Sequence, residues 1–183
     1  MSWFRQYLAA VASASHLGHD VEWLFYPGML PDSRLKWWGD FGNRPAAHEG
    51  IDICFYRHPT GPILSLPSGA PVPAWSPGTV INVCDDFLGR SLVVETESHP
   101  SNDTRILEIY AHLSVSEEVT FGTRIQTGQI IARIADTHAI GSVLPPHLHL
   151  SCIEVLASIP GHELNWSLFP RRDKVNVIHP VFL

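Results

Sequence analysis

The sequence predicts an all-β domain, and three observations support that fold class. Between residues 51 and 155 the chain alternates short β-prone runs with turn residues, which is typical of many short strands. Apolar residues make up 45% of the chain and charged residues 16%, so a folded core is expected rather than disorder. The length, 183 residues, suits one ordinary domain rather than two large ones.

Seven runs of β-branched and aromatic residues carry this prediction, and turn-forming segments separate them. The predicted strands are Ile51–Tyr56, Ile63–Leu66, Gly78–Cys84, Ser91–Glu97, Ile106–Leu113, Ile130–Ile134 and His147–Val155. Hairpin connections are predicted at Asp85–Gly89 and His99–Asp103, because both segments are rich in residues that tolerate turns.

The regions before and after these strands differ from them in composition. Apolar residues at helical spacing predict a short amphipathic helix over residues 3 to 13. The apolar run in Met1 to Ser15 is too short for a convincing export signal, so the helix is the preferred interpretation of this segment. Residues 16 to 47 are aromatic and interrupted by proline and glycine, which predicts an irregular wrap. The predicted organisation is therefore a helix and wrap over 1–43, a β-domain over 44–158, and a loop-like tail over 159–183 that packs back on the domain.

Charge and cysteine content exclude several classes of protein. A net charge of −6 and an isoelectric point near 5.9 argue against binding to nucleic acid or to an anionic membrane. No run reaches the ~20 apolar residues of a membrane-spanning helix. Cys54, Cys84 and Cys152 have no C-x-x-C spacing and are expected to be buried thiols rather than a disulfide or a cysteine zinc site.

The segment Val119–Ile131 repeats apolar and glycine residues at three-residue spacing, which suits the tight bends of a compact barrel-like sandwich. Lipoyl and biotinyl carrier domains share this pattern. A carrier needs a lysine at a hairpin tip, and the only lysines, Lys36 and Lys174, lie outside the predicted β-region.

Two pairs of polar residues have spacings that place their side chains together. His48 and Asp52 are four residues apart, which puts both on one face of a helix or an extended strand, and the flanking residues favour the extended form. His147 and His149 are two apart, which is co-facial only in a strand. Three nitrogen or oxygen ligands and an open position for water are what zinc requires in a hydrolytic site.

A fifth candidate, His112, lies in the predicted strand Ile106–Leu113. Alternation places His112 on the polar face of that strand together with Glu108 and Tyr110, where it could join the other histidines. Spacing alone leaves a structural role for each histidine as an open alternative.

The order H-x-x-x-D, Y-x-H-L and P-H-L-H, with the glycine-spaced run before the last motif, resembles the lysostaphin-type zinc metallopeptidases over roughly Arg44 to Val155. The resemblance implies one zinc ion (Zn2+) per chain, held by His48, Asp52 and His149. It also implies that His112 and His147 are the non-ligand catalytic histidines.

By the same resemblance, the fold is expected to be a compact antiparallel sandwich of the barrel-sandwich hybrid kind. The implied function is an endopeptidase that cuts peptidoglycan cross-bridges or stem peptides in the cell envelope, expected as a monomer. A catalytically silent regulatory module of the same fold and a peptidase of non-wall proteins are the alternatives. Two loops, Asp85–Arg105 and Ala139–Leu144, depart from the family pattern and are expected to border the substrate groove. Trp37-Trp38 has two open interpretations, a wall of that groove or ordinary packing.

Overall fold

The computed structural model describes residues 3–98, 101 and 103–179, and this part of the chain is mostly β-structure. Within it, one α-helix, α1, spans Trp3–Ala14. The strands are β1 Glu22–Leu24, β2 Ile51–Ile53, β3 Phe55–Arg57, β4 Ile63–Ser65, β5 Pro71–Pro73, β6 Gly78–Asp85, β7 Arg90–Thr96, β8 Thr104–Ser114, β9 Arg124–Ile125, β10 Ile130–Ile134, β11 Leu148–Leu156 and β12 Asn176–Ile178.

Two sheets account for these strands. The larger sheet has the order β12-β11-β8-β7-β6-β9, with β2 paired to β11 and β10 paired to both β8 and β5. The smaller sheet has the order β1-β3-β4. All strand pairs in the described residues are antiparallel, so the predicted all-β antiparallel class is confirmed.

The larger sheet is buried on both faces, and β11 shows this most clearly. Leu150 packs with Tyr110 in the main hydrophobic core. Ile153, on the opposite face of β11, packs with Ile109 in a second core that Phe169 of the C-terminal tail also joins. The predicted alternation of β11 is therefore observed, and the odd-numbered residues of this strand face the second core.

Helix α1 covers one part of the main core. Phe4, Tyr7, Leu8 and Val11 recur at the spacing of one helical face, and all four are buried there. The Tyr7 hydroxyl donates a hydrogen bond to the carbonyl oxygen of Pro73 in β5 at 3.1 Å. The helix thus fixes the start of the chain to the β-domain.

Three predictions about secondary structure need correction. The predicted strand Ile51–Tyr56 is interrupted at the buried Cys54, so that β2 joins the larger sheet and β3 joins the smaller one. The wrap contains β1, which pairs with β3, and the tail contains β12, which pairs with β11. Each of these two strands is only three residues long, and its pairing with a neighbouring strand defines it.

The cysteines, the two segments at undescribed residues and the absence of a membrane-spanning run were also subjects of prediction. All three cysteines are free thiols, and Cys54 and Cys152 are buried, whereas Cys84 is only half-buried. The predicted hairpin connection His99–Asp103 and the apolar end of the tail, Val181–Leu183, lie partly or wholly outside the described residues. No helix in the described ranges is long and apolar enough to cross a membrane.

Candidate metal centre

Three polar side chains from distant parts of the sequence converge beside the second core. His48, Asp52 and His149 are each at most 4% exposed, and one donor atom from each lies close to the other two. His48 Nε2 is 3.1 Å from His149 Nδ1 and 3.2 Å from Asp52 Oδ1. His149 Nδ1 is 2.9 Å from Asp52 Oδ1, so the three atoms form a nearly equilateral triangle.

Sheet register places two of these residues. Asp52 in β2 lies directly opposite His149 in β11, so both side chains project from the same face of the sheet. His48 lies outside any strand, because β2 begins only at Ile51. A bend at Gly50 separates His48 from β2, so the extended form that the sequence favours is observed as a strand only from Ile51.

Main-chain contacts to the wrap hold His48 instead. Its amide donates to the carbonyl of Ser33 at 3.0 Å, and its own carbonyl accepts from the amide of Asp32 at 2.8 Å. Arg172 of the tail also donates to that carbonyl at 3.2 Å. The wrap and the tail thus determine where the first histidine lies.

Gly50, between His48 and Asp52, makes the close approach of these segments possible. A β-carbon at this position would clash with the carbonyl oxygen of Leu150 and would lie 2.5 Å from Ser151 Oγ and 2.7 Å from His149 Nε2. Any larger residue would therefore push the loop away from β11.

The remaining polar atoms of the three residues have partners that orient them. His48 Nδ1 lies 3.1 Å from the carbonyl oxygen of Leu30, which can only accept, so Nδ1 carries the proton and Nε2 is free. His149 Nε2 lies 2.8 Å from Ser151 Oγ, which leaves Nδ1 free to face the triangle. Contacts of this kind, behind a ligating atom, fix the orientation of metal ligands.

The triangle fits the spacing that a zinc ion requires. Donors around a tetrahedral zinc ion with bonds of about 2.0–2.1 Å lie about 3.3 Å apart. The observed separations, 2.9, 3.1 and 3.2 Å, are close to this value. Two imidazoles and one carboxylate are also a donor set that zinc uses in hydrolytic sites.

Protonation states in the triangle favour metal binding. Burial acts to raise the pKa of Asp52, but the histidines around the carboxylate outweigh it and hold the pKa well below its ordinary value. Burial lowers the pKa of His149, against the opposing effect of Asp52. An ionised carboxylate beside a neutral imidazole is the state in which both can ligate a cation.

His147 lies next to the triangle without being part of it. Its Nδ1 is 2.8 Å from the carbonyl oxygen of Pro145, and its Nε2 is 3.9 Å from Asp52 Oδ1. Burial lowers the pKa of His147 to about 3. The ring is therefore neutral at pH 7, with Nδ1 protonated and Nε2 available near the triangle.

His112 reaches the same place by a route that alternation does not predict. In β8, Tyr110 and Leu113 both face the main core, so the side-chain alternation is broken between them. The pairing of β8 with β7 shifts register at this point, and His112 has a φ of +65°. This bulge moves the His112 ring to the opposite face of the sheet from Tyr110, with its centroid 4.8 Å from that of His147. The prediction that His112 shares a face with Glu108 and Tyr110 is wrong, although the expected proximity to the other histidines is observed.

Most of the other residues that line the site were not singled out from sequence. The cavity above the triangle has a volume of about 50 Å³. Its lining comprises the five residues described above together with Trp38, Arg44, Glu49, Phe87, Leu144 and Trp166. Phe87 and Leu144 come from the two loops that were expected to border a groove. Trp166 comes from the C-terminal tail, which the sequence predicts only as a loop-like segment packed on the domain.

The tryptophan pair of the wrap has two different environments. Trp37 is buried, and its Nε1 donates to Asp52 Oδ2 at 2.6 Å. Trp38 is half-buried at the cavity, and the Arg44 guanidinium lies 4.5 Å from its ring centroid. Each of the two interpretations thus applies to one residue: Trp37 is packed inside the protein, and Trp38 forms part of the cavity wall.

Comparison with known proteins relates this geometry to a family. The model of Peptidase family M23 matches residues 47–159, more than half of the chain. The NMR solution structure of lysostaphin is similar, at 21% identity and a TM-score of 0.48, over 80% of this chain and 47% of that one. A mutant catalytic domain of the prophage-encoded M23 protein EnpA from Enterococcus faecalis is similar at 21% identity and a TM-score of 0.44, over 82% of this chain and 96% of that one.

The chain thus spans about half the length of the lysostaphin chain it matches. The search of curated proteins gave no match. The segment matched by the family model contains strands β2 to β11 and all five polar residues around the triangle. The chain belongs to peptidase family M23.

Proposed function

We propose that the chain is a zinc-dependent endopeptidase that hydrolyses peptide bonds of bacterial peptidoglycan, in a cross-bridge or a stem peptide. The observation that carries the proposal is the triangle of donor atoms from His48, Asp52 and His149, spaced as zinc requires, with two further histidines beside it. Membership in a metallopeptidase family supports a hydrolytic role.

His48 Nε2, Asp52 Oδ1 and His149 Nδ1 would hold one zinc ion per chain. When bound, zinc supplies a Lewis acid that polarises a carbonyl and lowers the pKa of a coordinated water toward ~7. The carboxylate and the two imidazoles are oriented by Trp37, Leu30 and Ser151, so little reorganisation is needed to receive the ion.

Proton handling falls to the two histidines outside the triangle. Both have Nδ1 engaged away from the cavity, His147 with Pro145 and His112 with Asp86, so Nε2 is the atom that each offers to a substrate. Because each Nε2 carries a lone pair, one of them can accept the proton of the attacking water, and the Nε2–H formed in this way can then donate that proton to the leaving amine as the peptide bond breaks. Glu49 borders the cavity, but within the described part of the chain no hydrogen bond or ion pair of its side chain positions it as a base.

A silent regulatory module of the same fold is the second candidate function. Such a module would be expected to have lost members of the site, whereas all five residues are present here and converge. A peptidase of non-wall proteins differs from the first proposal only in substrate. Action in the cell envelope follows from a peptidoglycan substrate. The same proposal includes a monomeric protein and a metallopeptidase domain that spans residues 44–158.

The deciding experiment measures metal and product together. Purified full-length chain is analysed for zinc by elemental analysis and is then incubated with peptidoglycan, and the released fragments are identified by mass spectrometry. We expect one zinc per chain and peptide-bond cleavage that a chelator abolishes and added zinc restores. Stoichiometric zinc without cleavage of any muropeptide would favour the regulatory module. Cleavage that survives in His48→Ala or His149→Ala would contradict the proposed mechanism.

A further inference from the structure

The turn between β6 and β7 contains a buried carboxylate that contacts His112 from behind. We propose that Asp86 is a positioning residue, which fixes the His112 ring with Nδ1 protonated and Nε2 directed into the cavity. The expected effect of Asp86 on catalysis rests on the proposed function, in which His112 handles protons. The expected effect of Asp86 on the orientation and tautomer of the His112 ring does not.

Asp86 contacts His112 through both carboxylate oxygens. Oδ1 lies 3.0 Å from His112 Nδ1, and Oδ2 accepts a hydrogen bond from the His112 backbone amide at 2.9 Å. The Asp86 side chain is 1% exposed, so water does not compete for these bonds. One side chain therefore holds the backbone and the ring of the same residue, 26 positions away in sequence.

Each oxygen of Asp86 has a second donor. Oδ1 accepts from the amide of Leu88 at 2.8 Å, and Oδ2 accepts from the Ser91 hydroxyl at 2.7 Å. The Asp86 amide donates to the carbonyl of Gly89 at 2.9 Å, which closes the turn. With four donors around two oxygens, the carboxylate has no freedom to rotate away from His112.

These bonds determine which ring nitrogen of His112 carries the proton. An ionised carboxylate can only accept hydrogen bonds, so the nitrogen that faces it must donate. Burial acts to raise the pKa of Asp86. Hydrogen bonds from His112, the charge of His112 and a hydrogen bond from the Ser91 hydroxyl outweigh burial and hold this pKa well below its ordinary value. The neutral form of His112 is therefore the Nδ1–H tautomer, and its Nε2 lone pair is the free one.

The arrangement extends to the C-terminal tail. Trp166 Nε1 donates to Ser91 Oγ at 2.8 Å, and an indole N–H can only donate, so the Ser91 hydrogen is directed to Asp86. The Trp166 ring also lies edge-on against His149, at 5.5 Å between centroids. Hydrogen bonds thus connect Trp166, Ser91, Asp86 and His112 in a continuous series. The donor and the acceptor of each bond in this series are determined.

The described residues place no carboxylate against Nδ1 of His147, which makes the two non-ligand histidines unequal. The acceptor behind His147 is the neutral carbonyl of Pro145, whereas the acceptor behind His112 is a carboxylate. His112 also occupies a strained backbone conformation, and the bond from its amide to Asp86 stabilises that conformation. Loss of Asp86 should therefore affect His112 specifically and leave His147 and the triangle of donor atoms in place.

Asp86→Ala tests the proposal. Asp85→Ala is the matched control, because Asp85 is the neighbouring residue and its side chain is 94% exposed. Ring nitrogens are observed in ¹⁵N-labelled full-length protein by long-range ¹H–¹⁵N NMR, with His112→Gln used for assignment. We expect the Nδ1–H tautomer at His112 in the unsubstituted protein and in Asp85→Ala. In Asp86→Ala we expect most of the population to leave that tautomer.

The kinetic measurement uses the same proteins on a soluble muropeptide. Asp86→Ala should lower kcat about 100-fold, with KM within about 2-fold and zinc content unchanged, because ring orientation serves the chemical step rather than binding. A wild-type tautomer at His112 together with wild-type kcat in Asp86→Ala overturns the proposal. If the unsubstituted protein cleaves no muropeptide at all, the proposed function fails, and the NMR result alone still decides the role of Asp86.

Ser91→Ala provides a second test if Asp86→Ala does not fold. This substitution removes one donor to Asp86 and the acceptor of Trp166, so we expect a partial loss of the Nδ1–H tautomer and a few-fold decrease in kcat. An unchanged tautomer and unchanged kcat in folded Ser91→Ala would count against the proposal.

Discussion

Trp37 Nε1 donates a 2.6 Å hydrogen bond to Asp52 Oδ2, the carboxylate oxygen that faces away from the donor triangle. Arg44 lies 3.3 Å from the same oxygen. Because Oδ2 is held by these two donors, Oδ1 remains directed toward His48 and His149. The N-terminal wrap therefore supplies a contact that orients a proposed metal ligand.

Trp37→Phe is expected to weaken zinc binding while leaving the fold intact. The phenyl ring keeps much of the aromatic packing, but the donor to Asp52 is lost, and loss of such a partner typically costs 10–100-fold in metal affinity. Competition with a chromophoric chelator measures the affinity. Trp23→Phe, which changes a tryptophan that packs on Tyr56 instead, is the control. Equal zinc affinity in the two variants would contradict the assigned role of Trp37.

His147→Gln and His48→Gln are expected to separate catalysis from metal binding. His147 lies outside the donor triangle, so its loss should leave zinc content unchanged and lower kcat by about 10²–10⁴-fold. His48→Gln removes a donor atom, so zinc and hydrolysis should be lost together. Elemental analysis and muropeptide kinetics on the same preparations check both results. Zinc loss in His147→Gln would move that residue into the ligand set.

Gly50→Ala is expected to destabilise the protein by about 1–3 kcal/mol, because the added methyl group overlaps atoms of β11. Its nearest neighbours include His149, so zinc affinity should fall as well. Urea denaturation and chelator competition measure the two effects. At Gly61 an added methyl group meets His58 Cβ at an ordinary 3.5 Å, so Gly61→Ala should be nearly neutral.

Two substitutions at His112 test the bulge in β8. Asparagine tolerates a positive φ far better than a β-branched residue does, so His112→Asn should be more stable than His112→Val by about 1–2 kcal/mol. Both should be inactive. Thermal unfolding monitored by circular dichroism compares the two variants. Equal stability would mean that the positive φ is not maintained in solution.

Glu108→Gln is expected to change how stability depends on pH. Burial raises the pKa of Glu108 above its ordinary value, although Ser76 and Tyr110 donate hydrogen bonds to it. The unfolded chain then loses this proton at lower pH than the folded chain. The contribution of Glu108 to the free energy of unfolding is therefore fully present below about pH 4.3 and decreases as pH rises through the folded-state pKa.

The difference in unfolding free energy between Glu108→Gln and the unsubstituted protein should accordingly grow in favour of glutamine as pH rises above about 4.3. Urea denaturation at a series of pH values measures this difference. The exposed Glu118, as Glu118→Gln, serves as the control. A pH-independent difference for Glu108→Gln would show that its pKa is the same in the folded and unfolded states.

The structure agrees with the sequence-based predictions where a local pattern determines the geometry. The two-residue period of a strand is strict, so Leu148, Leu150 and His149 in β11 lie on the faces that alternation predicts. The antiparallel all-β class followed from the same kind of pattern. These features depend on residues that are close together in the chain.

The structure differs from the sequence-based predictions where a distant residue determines the geometry. The bulge at His112 is held by Asp86, which comes from another turn, and no pattern within β8 indicates it. In the same way, the role of Trp37 depends on Asp52, and the cavity contact of Trp166 depends on the path of the tail. Aromatic residues in irregular segments are too common for composition alone to distinguish these roles.

The pairing of Asp52 with His149 has a thermodynamic consequence. The two residues are 97 positions apart in sequence, and His48 is 101 positions from His149, so the unfolded chain does not hold these groups together. An ion bound to all three would act as a reversible cross-link between β11 and the segment that begins at His48. Because only the folded chain offers this site, a free zinc concentration of 100 times the Kd adds about 2.7 kcal/mol to the unfolding free energy. Zinc availability would then set the lifetime of the protein as well as its activity.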